Sequence, residues 1–401
     1  MKVSGLDVHK DTIFCAIYDG KKYGKVTEFA TFSENMREMA HMLRERGVKK
    51  IAMESTGIYW IPVWNILEEA GFDLMLVNPF LIKQMPGRKS DVKDAQWIAK
   101  LLHKGMLRGS MIPCKTIRQL RTYSRRFVKM QGMITRVNQE MERILEMCNI
   151  RITSLMSNNH GVSIQKVIEK IIAGQDTVEE LACCIHGRTL NAKGELVRLS
   201  LDGKVEEHHR FTLSLAHEQY KLHLKHIDSL EMKMEALCDE HYTREMELLM
   251  SIPGVGKQAA MQIISETGGD MQAFADSGKL TGWAGLRPRN DESAGKFKSK
   301  AITKGNKYLR RIIVQCAWAA SRTKGSHYKS KFEQLCVRKS RKKALIAIAR
   351  KLLTVVWHVL QENEPFNAQL LPVYDPKKIE SKMKYHRREL EKLEVIGFST
   401  T

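Results

Sequence analysis

Val3-Ser4-Gly5-Leu6-Asp7-Val8-His9-Lys10 is a short apolar run with one acid set inside it. The β-prone run that it belongs to, residues 2–8, is followed after a polar break by a second such run at 12–18. Asp19-Gly20 and a third run from about 24 to 31 come next, and the three together read as an antiparallel meander. Outward from there the pattern continues with a helix near 34–46, the strand Lys50-Ile51-Ala52-Met53-Glu54, and a helix near 58–70. The strand Phe72-Asp73-Leu74-Met75-Leu76-Val77 and a helix from about 91 to 104 complete it. The order β-β-β-α-β-α-β-α is that of a ribonuclease H type of fold, and it defines a first domain at 1–112.

Four acids stand out against this frame. Asp7 lies inside the first strand, and Glu54 closes the fourth, its neighbour in such a sheet. Asp91 and Asp94, in Lys89-Ser90-Asp91-Val92-Lys93-Asp94-Ala95, are three apart, so on a helix both project from one face. Four carboxylates at close quarters repel one another unless cations neutralise them, and hard oxygen donors suit Mg²⁺ or Mn²⁺. Two such ions can activate a nucleophile and stabilise a leaving oxygen in phosphoryl chemistry. Each acid alone also has an ordinary reading as solvated surface, with Asp91 a helix cap and Asp94 a first-turn residue. His9 and Lys10 read as the polar end of the strand. Ser55, Thr56, Gly57 and Tyr59 read as the start of a helix, with Ser55 or Thr56 as its cap.

The chain of 401 residues is long enough for two or three domains, and 43% hydrophobic content disfavours disorder. A formal charge of +21 points to a polyanionic partner, nucleic acid first among them. The charge is uneven: residues 270–360 hold 21 Lys and Arg against 5 Asp and Glu, whereas residues 1–110 hold 17 against 13. Eight cysteines show no Cys-x-x-Cys pair and no zinc-like His spacing, which suits reduced thiols in a cytosolic protein. The start lacks the apolar run of a signal peptide, and no later apolar run reaches membrane-span length. A cytoplasmic, nucleoid-associated protein with no membrane partner is the expectation.

Two long helical patterns, about 115–150 and 213–240, read as an antiparallel coiled-coil arm within a second domain at 113–245. Residues 151–212 between them form an inserted unit whose role the sequence leaves open. Arg118, Arg121, Arg125, Arg126 and Lys129 on the first helix are candidate phosphate contacts. Ser251-Ile252-Pro253-Gly254-Val255-Gly256-Lys257 resembles a helix-hairpin-helix turn, whose backbone amides at Gly254, Gly256 and Lys257 can approach a phosphate. It opens a mainly helical domain at 246–360, followed by a tail at 361–401 without a core pattern. Residues 281–311 combine glycines with Arg287, Arg289, Lys296, Lys298, Lys304, Lys307, Arg310 and Arg311 in a poorly periodic loop suited to a DNA strand. A serine in such a loop can attack a phosphodiester if cations stabilise the developing charge. On spacing alone, however, Ser293 reads as an ordinary loop residue.

Taken as a set, Asp7-Val8-His9-Lys10, Glu54-Ser55-Thr56-Gly57, Lys89-Ser90-Asp91-Val92-Lys93-Asp94-Ala95, Ile252-Pro253-Gly254-Val255-Gly256, Gly285-Leu286-Arg287-Pro288, Ser293-Ala294-Gly295 and Lys304-Gly305-Asn306-Lys307-Tyr308-Leu309-Arg310 resemble the IS-one-ten type of insertion-sequence transposases. The resemblance covers nearly the whole chain outside 151–212 and the tail. It implies a RuvC-like domain whose Asp7, Glu54, Asp91 and Asp94 hold divalent metal, and a transposase domain with Ser293 as nucleophile. It further implies a structured bridge RNA, double-stranded DNA as element ends or circular junction and as target, and a homo-oligomer from dimer to tetramer. Metal site and serine would then form one composite centre, assembled across subunits. The sequence departs from the family pattern at Ala294, which separates Ser293 from Gly295 and leaves Ser299 as a second candidate. A metal-only nuclease resembling Holliday-junction resolvases and a non-catalytic nucleic-acid-binding protein are the rival readings.

Overall fold

A computed structural model describes residues 1–55, 57–78, 91–156, 161–289, 291–293, 296–299, 301–368 and 376–398. For several of these, including 291–293 and 296–298, it describes the backbone alone. The chain divides into two compact units, Met1–Pro113 and Cys114–Thr401.

In the first unit, strands β1 (Val3–Val8), β2 (Thr12–Tyr18) and β3 (Thr27–Ala30) form the antiparallel meander. Helix α1 (Ser33–Glu45), strand β4 (Lys50–Ser55), helix α2 (Trp60–Glu69), strand β5 (Asp73–Val77) and helix α3 (Asp91–His103) follow. The five-stranded sheet has the order β3-β2-β1-β4-β5, with β4 and β5 parallel to β1, which is the ribonuclease H arrangement. Every residue of β1 is buried, because helices cover both faces of the sheet. Leu6, Val8, Ile51 and Met53 face α1 and α2, and the alternate positions Val3 and Ala52 face α3.

Gly5 belongs to the α3 face. A Cβ there would run into the Ala95 carbonyl and the Ala99 amide, so glycine is what lets α3 rest backbone-to-backbone on β1. Tyr59 rather than Ser55 stands at the start of α2, and no side chain caps it. Thr56 lies outside the described residues.

The second unit is helical. Helix α4 (Lys115–Met147) is followed by α5 (Val162–Ile172), α6 (Val178–Ala182), α7 (Gly187–Leu201) and α8 (Glu207–His241). α4 and α8 lie side by side and antiparallel: Cys114 at one end meets Tyr242, and Cys148 at the other accepts a backbone hydrogen bond from Lys204. The described residues of the 151–212 segment are mostly helical, and their Ile164, Val167, Ile168, Leu181 and Val197 share one apolar cluster with Met141, Ile144 and Leu145 of α4.

Helices α9 (Thr243–Met250), α10 (Lys257–Thr267) and α11 (Ser277–Trp283) lead to a hairpin of β6 (Asp291–Ser293) and β7 (Lys296–Ser299). Helices α12 (Lys307–Ala320), α13 (His327–Cys336), α14 (Arg341–Glu362) and α15 (Pro376–Phe398) end the chain. The expected loop is thus a β-hairpin, extended at its base by the Pro288–Ile302 bridge and the Arg289–Ala301 and Thr303–Arg287 hydrogen bonds. The expected patternless tail is mostly helix, with Leu390 and Leu393 exposed. By length and composition α14 could cross a membrane, which the sequence reading had not anticipated. Its Ile348, Leu352, Leu353 and Val356 are fully buried against neighbouring helices of this unit, the packing of a core helix. All eight cysteines are free.

Gly5→Ala is expected to lower stability by about 1–3 kcal/mol, as overpacking of a tight contact does. Chemical denaturation checks this, and a variant as stable as the parent would contradict the close approach.

Candidate metal centre and basic helical unit

Asp7 and Glu54 are register partners on the adjacent parallel strands β1 and β4, so both project to the face on which α3 lies. Helix α3 brings its acidic first turn, Asp91 and Asp94, to the same end of that face. The Asp7 side chain is 10% exposed; its Oδ2 is 3.2 Å from His9 Nε2, which lies 3.7 Å from Asp91 Oδ1. Burial raises the Asp7 carboxyl above its ordinary pKa; His9, by charge and hydrogen bond, opposes this, and the charges of Asp94 and Asp91 add to it. Asp7, Asp91 and Asp94 therefore act on one another as a cluster.

The donor atoms of Asp7, His9 and Asp91 lie within 4.8 Å of one another. Ligands on opposite sides of a small divalent ion sit about 4 Å apart, twice the metal–oxygen distance. A mainly carboxylate donor set on rigid elements, in which burial chiefly and the charges of the α3 acids secondarily raise the Asp7 carboxyl, fits a divalent cation. Two participants escaped the sequence reading. His9, which the sequence alone presents as the end of a strand, sits between two of the acids. Gly5 lets α3 approach, and its signal was a glycine in the middle of a strand.

The basic unit has its own buried acid. Glu266 on α10 is 1% exposed and accepts both arms of the Arg125 guanidinium, at 2.8 and 2.9 Å. It also accepts 2.6 Å from Asn306 Nδ2. Arg121 donates to the carbonyls of Ser265 and Glu266 at 2.9 and 2.7 Å. Burial pushes the Glu266 carboxyl up, but the hydrogen bond and charge of Arg125, with Asn306 and Arg121, outweigh it and the net pKa is depressed.

This revises part of the expected phosphate surface. Arg121 and Arg125 are internal partners of Glu266, because a buried carboxylate needs them. Arg310 donates to the Thr303 carbonyl and Arg311 to Gln131. Gly254 has a positive φ, and a Cβ there would stand 2.5 Å from the Cys316 carbonyl, so close packing on α12 accounts for it. Gly256 precedes the first turn of α10, and Lys257 pairs with Glu235 at 3.3 Å. Arg118 is half-buried, whereas Arg126, Lys129, Arg287, Lys304 and Lys307 are exposed. Ser293 ends β6 opposite Lys296 at the hairpin tip. The side chains of Ser293, Lys296 and Lys298 lie outside the described residues, as do Ala294 and Gly295. Ser299 Oγ accepts the Ala301 amide at 3.2 Å.

Residues 246–333 match the transposase IS116/IS110/IS902 family, and residues 4–150 match the DEDD transposase family of the IS110 type. The transposase for insertion sequence element IS1111A of Coxiella burnetii is 22% identical over 383 residues, 91% of each chain. The insertion element IS900 uncharacterized 42 kDa protein of Mycobacterium paratuberculosis is 30% identical over 138 residues, a stretch that spans 33% of this chain and 34% of that protein. T. thermophilus RuvC in complex with a Holliday junction substrate aligns over 27% of this chain and 99% of its own, at 14% identity and a TM-score of 0.22.

Because the folded pKa of Asp7 is raised, its contribution favours the folded state at low pH and is lost as pH rises through that pKa. Without divalent metal at neutral pH, Asp7→Asn should therefore raise the melting temperature, and the gain should shrink as pH falls into the carboxylate range. Glu266 has the opposite sign: its contribution is lost as pH falls through its depressed pKa. Glu266→Ala leaves two arginines without their anion and should cost about 3 kcal/mol at neutral pH, read by urea denaturation; a neutral effect would contradict the network.

Proposed function

Since this chain belongs to the IS116/IS110/IS902 family of transposases, we propose that it cleaves and exchanges DNA strands with two chemistries, one in each unit. The observation that carries the reading is the register match of Asp7 with Glu54, beneath a helix whose first turn supplies Asp91 and Asp94. These four residues, with His9 beside them, would hold Mg²⁺ or Mn²⁺. Such ions, when bound, neutralise phosphate charge and stabilise developing oxyanions.

Ser293 is the proposed nucleophile. Its Oγ forms a bond to phosphorus as a backbone P–O bond breaks, the departing hydroxyl keeping the electron pair and taking up a proton, while the serine proton passes to a base. Attack by a different DNA hydroxyl reverses the step and frees the serine, so a phosphodiester is exchanged without an external energy source. Two features support this reading: Ser293 ends a strand at the tip of a hairpin flanked by Arg287, Arg289, Lys296 and Lys298, and its segment lies in the matched 246–333 stretch.

The exposed Arg126, Lys129, Lys304 and Lys307 are proposed contacts to nucleic-acid phosphates. The net charge fits a chain that handles a structured bridge RNA together with donor and target DNA. The paired helices α4 and α8 are proposed as an assembly arm for a dimer or tetramer.

Asp7→Ala and Ser293→Ala should each reduce exchange between element and target DNA by on the order of a thousandfold or more, measured with the cognate RNA present. Ser293→Ala should also abolish a denaturant-resistant protein–DNA adduct, and Ser299→Ala should not. Undiminished exchange by Ser293→Ala would remove the serine step; undiminished exchange by Asp7→Ala would remove the metal step. Sequencing of co-purified RNA tests the guide: transcripts from DNA flanking the gene are expected, and random cellular RNA would count against it.

A further inference from the structure

Beside the Glu266 network lies a cleft of about 450 Å³ in the second unit, walled by Arg125, Trp283, Lys304, Asn306, Lys307 and Tyr308. We propose that it receives one unpaired nucleotide of a DNA strand, with the base against the aromatic wall and the phosphate on Lys304 and Lys307. The proposal rests on the DNA-strand reading given above and names which form of DNA this surface takes.

The cleft combines two kinds of wall that each recognise part of a nucleotide. Tyr308 and Trp283 offer flat apolar surface, and every base has a π-face that can stack on it without regard to sequence. Lys304 and Lys307 are exposed and supply flexible point charges suited to a phosphate. The Arg125 guanidinium carbon lies 4.6 Å from the Tyr308 ring centre, and Lys307 Nζ lies 5.3 Å from it. The two cations differ in freedom: Arg125 is clamped by both of its hydrogen bonds to Glu266, whereas Lys307 is on an exposed four-carbon stem and can move to a phosphate.

The cleft is also held in shape before any ligand arrives. Asn306 Oδ1 accepts the amides of Tyr308 and Leu309, fixing the first turn of α12, while its Nδ2 donates to Glu266. One buried carboxylate thereby positions the cation under the ring, the loop that carries Lys304 and the helix start that carries Lys307. A Cβ at Gly305 would collide with the Gly285 amide and approach the Trp283 carbonyl to 2.5 Å, so the 304–308 segment is pressed against the end of α11. Pre-ordering of this kind lowers the entropy lost on binding. The cleft takes a single extruded base more readily than the stacked interior of a duplex, since only an unpaired base exposes both faces.

The experiment measures binding of the full-length protein to a duplex carrying a short single-stranded extension and to the same duplex with blunt ends, at two salt concentrations. A 2-aminopurine in the extension reports stacking. The expected result is tighter binding to the extended duplex with quenched fluorescence. Tyr308→Leu should lose about tenfold of that preference, together with the quench, while Tyr308→Phe should retain both. Equal binding of the two duplexes by the parent protein, or a Tyr308→Leu variant that quenches as the parent does, would overturn the cleft assignment and leave the DNA-strand reading standing. Absence of binding to either duplex at low salt would overturn both.

Discussion

Glu266 is as buried as a core leucine, yet its carboxyl stays ionised, because two arms of Arg125 and the amide of Asn306 reach it and Arg121 stands behind. An interior carboxylate without such partners would cost several kcal/mol. The segments that carry those partners, the first turns of α4, the end of α10 and the loop before α12, are therefore tied to one point. The cationic loop 304–308, the start of α12 and the stacked Tyr308 all take their placement from it.

Asp7 presents the same problem with the opposite outcome. It too is buried, and burial raises its pKa; His9 opposes the rise, while repulsion from two further acids adds to it. The first unit accepts this repulsion where the second neutralises it. An acid cluster that the fold does not neutralise is the expected form of a site completed by a cation, whereas a fully hydrogen-bonded acid is a structural fastening. The contrast separates the two buried acids by environment; of the two, only Asp7 stands out in the sequence.

Asp7 and Glu54 were legible in the sequence because both sit within strong, short apolar runs whose order matches one sheet topology, and the register between β1 and β4 then follows. His9 and Gly5 were harder to see. Histidine next to a strand end and glycine within one are each common, and their importance here comes from α3, which is remote in sequence. In the basic half the charge count was informative, but it could not tell Arg125 from Arg126. These neighbours on α4 point about 100° apart, one onto Glu266 and the other into solvent.

By itself, the sequence determined the ribonuclease H type of sheet, the positions of its four acids, the two long helices, the basic character of the second half and the kinship with insertion-sequence transposases. These depend on local periodicity, motif spacing and composition, all of which are written along the chain. Only tertiary structure decided which arginines are fastenings and which remain exposed, that β6 and β7 pair as a hairpin, and that Gly5 rather than any acid admits α3 to the sheet. Those outcomes depend on contacts between residues 90 to 145 positions apart in the longest cases, where burial, and not neighbouring sequence, sets the energy of a charge or a methyl group.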